Sequence, residues 1–203
     1  MEQHLNSYKL SSQTSKNIKP KRIITIPRII FLVVAIGVLF FGFYEAMRYF
    51  CCTRPLRKAA EAEYEVYHTE NDENDDTYIK KVETSEYKGY FQLEICKSIK
   101  CPHCISLYLS EPIKIDDKEC WLSVCYYPYE KLWSDSYGVN YDYTESSVMH
   151  YSGFEVDEDG RFISNSEGNS NSEHREYAEK LNKYYTPLLE LLKSEYNRIM
   201  KTY

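Results

Sequence analysis

From Ile29 to Tyr44 the chain runs "IIFLVVAIGVLFFGFY", sixteen residues without a charge. At 1.5 Å per residue that is about 24 Å of helix. Flanking Arg28, Arg48, Tyr49 and Phe50 extend it toward the roughly 30 Å of a bilayer's hydrocarbon core. Apolar residues occupy every side of the segment and leave no polar face, so it reads as a single transmembrane helix over residues 27–50. Pro27 suits the first helical turn, and Glu45 and Arg48 stand one turn apart, placed to pair. A cleaved signal peptide fits poorly, because a long polar segment precedes the apolar run and no small-residue site follows it.

Beyond the apolar run, "RPLRKAAEAEYEVYHTE" repeats Leu56, Ala60, Tyr64 and Tyr67 at helical intervals and predicts a short helix. "NDENDD", residues 71–76, reads as a solvated linker. From about Tyr90 the period changes to two. Phe91, Leu93 and Ile95 share one face of a strand, as do Ile105, Leu107 and Leu109 of the next. "ECWLSVCYY" sets Cys120, Leu122, Val124 and Tyr126 against Trp121, Ser123, Cys125 and Tyr127. Bulky residues on both faces place that strand inside the sheet. "VNYDY" and "SVMHY" are further strands, and Asp159-Gly160 marks a hairpin turn. A final helix is expected, with Ser170 and Glu173 as a capping box and an apolar face of Tyr177, Leu181, Tyr184, Leu188, Leu192, Tyr196, Ile199 and Tyr203. Pro187 is expected to kink it or to start a second helix.

The chain thus divides into a disordered basic tail (1–26), a transmembrane helix (27–50), a juxtamembrane helix with acidic linker (51–88) and a soluble domain (89–203). The fold class is α+β, an N-terminal transmembrane helix followed by a small antiparallel sheet packed against a C-terminal helix.

Charge sharpens this division. Residues 1–58 carry a net +8 and the remainder −14, giving the overall −6. An acidic body excludes nucleic acid as its partner, since phosphate binding requires clustered positive charge. Six basic residues before the apolar run against four just after it predict a cytoplasmic amino terminus and an extracytoplasmic body.

The cysteines offer three chemistries. "CPHC", Cys101 to Cys104, resembles over four residues the redox motif of periplasmic members of the thioredoxin superfamily. The resemblance implies Cys101 as nucleophile, Cys104 as resolving thiol and His103 as a positive neighbour. That chemistry needs a helix N-terminus after the strand, whereas "ISLYLSEP" alternates like a strand. A zinc site from Cys101, Cys104, Cys120 and Cys125 has ribbon-like separation between its pairs, but Cys120 and Cys125 lie five apart and point to opposite strand faces. Structural disulfides among Cys96, Cys101, Cys104, Cys120 and Cys125 suit an extracytoplasmic domain better, with Cys96 and Cys104 as one pairing across a hairpin. Cys51 and Cys52 are candidates for acylation or an intermolecular bridge. Asp72, Asn74, Asp76 and Glu83 follow most of a calcium-loop pattern, without the glycine its sharp turn requires.

Eighteen of the 21 tyrosines fall after residue 60. Tyrosine gives large contact area with a polar tip, so the densest run is the expected partner surface: Tyr126, Tyr127, Tyr129, Trp133, Tyr137, Tyr141 and Tyr143. No nucleotide-binding, serine-hydrolase or zinc-protease motif is present, and no cofactor is implied. The sequence therefore predicts a membrane-anchored acidic domain that binds a partner protein without catalysis, as an inhibitor, immunity protein or accessory subunit. The alternative is a tethered thiol-disulfide oxidoreductase.

Overall fold

The computed structural model describes residues 26–67, 75–96, 103–131, 134–145, 148–165 and 172–203. Residues 1–25 of the expected basic tail and the Ser170 cap lie outside these residues, and Ile26, expected to end the tail, already belongs to a helix. The chain divides between residues 40 and 41 into two compact units. In the first, residues 26–40 belong to helix α1 (Ile26–Arg48), whose side chains there are almost all exposed. This helix is long and apolar enough to cross a membrane.

The second unit begins with the last turns of α1, where Arg48 and Glu45 pair at 3.7 Å as their spacing predicts. A π-helical turn (Tyr49–Thr53) leads into helix α2 (Arg54–Glu63), with Pro55 in its first turn. A nine-stranded antiparallel sheet follows. Its strands are β1 (Glu65–Tyr67), β2 (Asp75–Glu83), β3 (Lys88–Cys96), β4 (Cys104–Leu109), β5 (Ile113–Ile115), β6 (Lys118–Lys131), β7 (Ser134–Glu145), β8 (Val148–Val156) and β9 (Phe162–Asn165). They lie in the order β1-β2-β3-β4-β6-β7-β8-β9, with β5 also paired to β6. Helix α3 (Ser172–Thr202) closes the fold.

Strand parity builds the core. Phe91, Leu93, Ile95, Ile105, Leu107, Leu122, Val124, Val139, Tyr141, Phe154 and Val156 share one sheet face. Against them pack Leu181, Tyr185, Leu188, Leu189, Leu192 and Ile199 of α3 and Leu56, Ala59 and Ala60 of α2. The α+β class holds, and β6 is an interior strand as its two bulky faces require.

Two turns fix the register. Asp116 and Asp117, alone between β5 and β6, both have positive φ (49° and 63°), as a two-residue type I′ hairpin turn needs. Gly160, with φ of 79°, turns β8 into β9, and Tyr185 donates to its carbonyl at 2.8 Å.

Four details differ from the sequence reading. The expected linker contains strand β2, missed because Lys80 stands between Tyr78 and Val82 on the core-facing side and breaks the apolar alternation. The same extended strand, Asp75–Glu83, rules out a calcium loop through Asp76 and Glu83, while Asp72 and Asn74 lie outside the described residues. The helix after the membrane segment ends at Glu63, and Tyr67 belongs to β1. Finally, α3 runs through Pro187 as one helix, and it buries Tyr185 where the periodicity put Tyr184.

Candidate binding face

The sheet has a second face, made by the residues of opposite parity, and its layout follows from the register. In one cross-strand row Tyr90 stands beside Tyr108, Ser123, Asn140 and Gly153. The next row is Trp121, Asp142 and Tyr151. On the other side run Gln92, Ser106, Cys125, Gly138 and Glu155. Neighbours in such a row have Cβ atoms about 4.5–5.5 Å apart, so Asp142 stands between Trp121 and Tyr151 in the row.

Tyr90 and Tyr108 stack with centroids 5.2 Å apart and planes 11° from parallel. Trp121 is 43% exposed, Tyr151 74% and Met149 49%. A groove of about 440 Å³ opens here, lined by Tyr90, Tyr108, Leu109, Ser110, Trp121, Leu122, Ser123 and Asp142. The Asp142 carboxylate takes no hydrogen bond or ion pair from the side chains of the described residues, and burial pushes its pKa up.

Beside the groove is a buried thiol cluster. Cys104 and Cys125 hydrogen-bond each other, Ser106 Oγ lies 3.1 Å from the Cys104 sulfur, and Asn140 donates to Cys125 at 3.7 Å. Cys125 and burial both push the Cys104 thiol well up. Gly138 makes room for this cluster, since a Cβ there would stand 2.6 Å from the Cys125 sulfur.

The expected site residues are distributed differently from the sequence reading. Tyr126 and Tyr141 are core residues, 6% and 4% exposed, and Tyr137 and Tyr143 lie on the same helix-covered face. Tyr126 stacks on Tyr137 and meets Tyr196 edge-on, while Tyr141 stacks on Tyr177. Strand parity is the reason: tyrosines at alternate positions of a buried strand all face α3. Tyr127, on the second face, is engaged by the thiols of Cys125 and Cys104. The Tyr129 side chain and Trp133 lie outside the described residues.

Cys101 and the Cys96 side chain also lie outside them. Cys51, Cys52, Cys104, Cys120 and Cys125 are free thiols, so Cys104 is not bridged to Cys96; the register puts it opposite Glu94 and against Cys125. Cys104 opens a strand rather than a helix, and no helix dipole lowers its pKa. Cys120 faces the core, on the opposite side of β6 from Cys125, so these two and Cys104 do not converge. Cys52 is buried and bonded to the Tyr196 hydroxyl at 3.2 Å, which withdraws it from acylation; Cys51 is half-exposed.

His103 is not the positive neighbour that the redox motif implies. It is buried, with Nε2 2.6 Å from the Thr53 hydroxyl. Burial, with Arg48 and Arg57 nearby, lowers its pKa to about 4, so it is neutral at pH 7.

An ionic network joins α2, β2 and α3. Arg198 donates to both Glu63 oxygens, at 2.8 and 2.7 Å, and to both Glu195 oxygens, at 2.7 and 2.8 Å. Lys80 reaches the same two carboxylates at 2.8 and 3.1 Å. Tyr64 donates to Glu195 and Tyr203 to Glu63. This is the partner set that makes an inward lysine tolerable in β2.

Sequence reasoning missed Trp121, Asp142 and Tyr151 as a group. The alternation in β6 placed Trp121 on the side away from Leu122 and Val124, but only the β6–β7–β8 register brings the three together. No family model, no curated protein and no solved structure matches this chain.

Proposed function

We propose that the chain is a single-pass membrane protein with a cytoplasmic amino terminus, displaying an extracytoplasmic acidic domain that binds a partner protein without catalysis. An inhibitor, immunity or accessory-subunit role suits such a tethered acidic domain. The observation that carries the reading is the second sheet face, where Trp121, Met149 and Tyr151 are exposed on an antiparallel sheet. Aromatic residues and methionine are the types enriched at the centre of protein interfaces. The partner surface thus moves from the 126–143 tyrosine run as a whole to the residues of opposite parity.

The test is a photocrosslinking residue placed at Tyr151 in the full-length protein in cells, with an impermeant maleimide reporting on an added cysteine at Glu111. Expected are external labelling at residue 111 and one discrete adduct, lost in Trp121→Ala at unchanged thermal stability. Labelling only after cell lysis reverses the orientation. The absence of any adduct from Tyr151 removes this face as the partner surface, and an adduct indifferent to Trp121→Ala removes Trp121 from it.

A further inference from the structure

We infer that the groove around Asp142 is a receptor for a guanidinium group, an arginine side chain presented by a basic partner. This deepens the reading of the second sheet face as a partner surface and rests on it.

The chemistry of the lining selects the ligand. Asp142 stands between Trp121 and Tyr151 by direct register, and the stacked Tyr90–Tyr108 pair forms a further wall of the face. A carboxylate without a cationic partner among the described residues, set beside aromatic ones, asks for a cation that also stacks. Guanidinium does both: its planar fork binds a carboxylate bidentately, and its face lies on aromatic rings at little hydration cost. An ammonium supplies the charge without the stacking plane. The groove, about 440 Å³, is larger than one such side chain requires, and its lining includes the small side chains of Ser110 and Ser123. Complementarity points the same way at long range, since the body carries a net −14 and steers basic surfaces toward it. Among the described cations, Lys80 and Arg198 are engaged in the Glu63–Glu195 network, Lys118 over Tyr143 on the core side and Lys180 with Asp116, while exposed Lys81 of β2 stands opposite Tyr90, with three strands between β2 and Asp142 in β7.

The experiment uses the full chain in detergent micelles, labelled with nitrogen-15 at tryptophan. Trp133→Phe assigns the Trp121 indole resonance. N-acetyl-arginine methylamide is titrated in, with the lysine and citrulline analogues as probes of charge and shape. A saturable shift of the Trp121 resonance is expected with arginine, a weaker one with lysine and none with the neutral citrulline. Asp142→Asn is expected to weaken arginine binding about tenfold or more, the loss of one charge-assisted pair. Should that variant unfold, the wild type supplies the same information by pH: arginine affinity falls as acid protonates Asp142. Equal shifts with citrulline and arginine, or arginine affinity indifferent to both Asp142→Asn and acid, overturn the inference. The Tyr151 crosslink is independent of these titrations, so its persistence beside a silent arginine titration refutes the guanidinium assignment and leaves the partner face standing.

Discussion

Arg198 is the most informative residue to remove. Its guanidinium makes four hydrogen bonds to two carboxylates, one of which, Glu195, keeps only 10% of its side chain exposed. Charge-assisted hydrogen bonds contribute about 1.5–3 kcal/mol each in favourable settings, but the Arg198 side chain is 37% exposed and solvent screening reduces that. Replacement by methionine keeps much of the packing and strands Glu195 with Lys80 and Tyr64 alone. The expected cost is about 2 kcal/mol, between an exposed pair and a fully buried one. At about 2–4 °C per kcal/mol for a body of this size, Arg198→Met lowers Tm by about 4–8 °C, measured by near-UV circular dichroism of the micellar full-length protein.

The double variant decides the mechanism. If the cost comes from a stranded buried carboxylate, adding Glu195→Gln to Arg198→Met recovers stability relative to the single variant, with a coupling of about 1 kcal/mol or more. Additive losses refute the reasoning and assign Arg198 a packing role. The acid limb supplies a second check. The Arg198 hydrogen bonds, with those of Lys80, hold the Glu63 pKa at about 2 against 4.5 for a free carboxyl. A depressed acid stabilises the fold fully above its unfolded pKa, and that stability is lost as pH falls from about 4.5 toward 2. In Arg198→Met this acid-dependent loss is expected to be shallower.

Two further predictions concern the neighbourhood of the thiols and the start of the domain. His103, held near pKa 4 against 6.5 when free, binds a proton more readily in the unfolded chain, so it makes stability fall as pH drops from about 6.5 to 4. His103→Gln is expected to flatten that window, and an imidazole resonance already titrating near pH 6.5 in the folded protein contradicts the burial argument. Gly138→Ala drives a methyl into the Cys125 sulfur and is expected to cost about 1–3 kcal/mol in chemical denaturation. Adding Cys125→Ala relieves the clash, so a double variant at the sum of the two single losses excludes it.

What the sequence determined by itself is the class and most of the framework. An uncharged apolar run with no polar face specifies a membrane-length helix, period-two alternation specifies β3, β4 and β6, and Asp159-Gly160 specifies a turn, because each depends on residues adjacent along the chain. Parity even sorted the side chains of β6 correctly into two faces, Leu122 and Val124 on one and Trp121 and Cys125 on the other. Which of those faces is covered is a tertiary matter: α3 lies over Tyr126, Tyr137, Tyr141 and Tyr143, turning the densest tyrosine run into core and leaving the face of Trp121 and Tyr151 open. The β2 strand was illegible for a related reason. Lys80 is out of place in an apolar alternation until Glu63, from another element, and Glu195, 115 residues away, supply its counter-charges. The Asp116-Asp117 turn and the meeting of Cys104 with Cys125 likewise depend on pairing register. Local periodicity fixes which way a side chain points, and only packing between distant segments decides what it meets there.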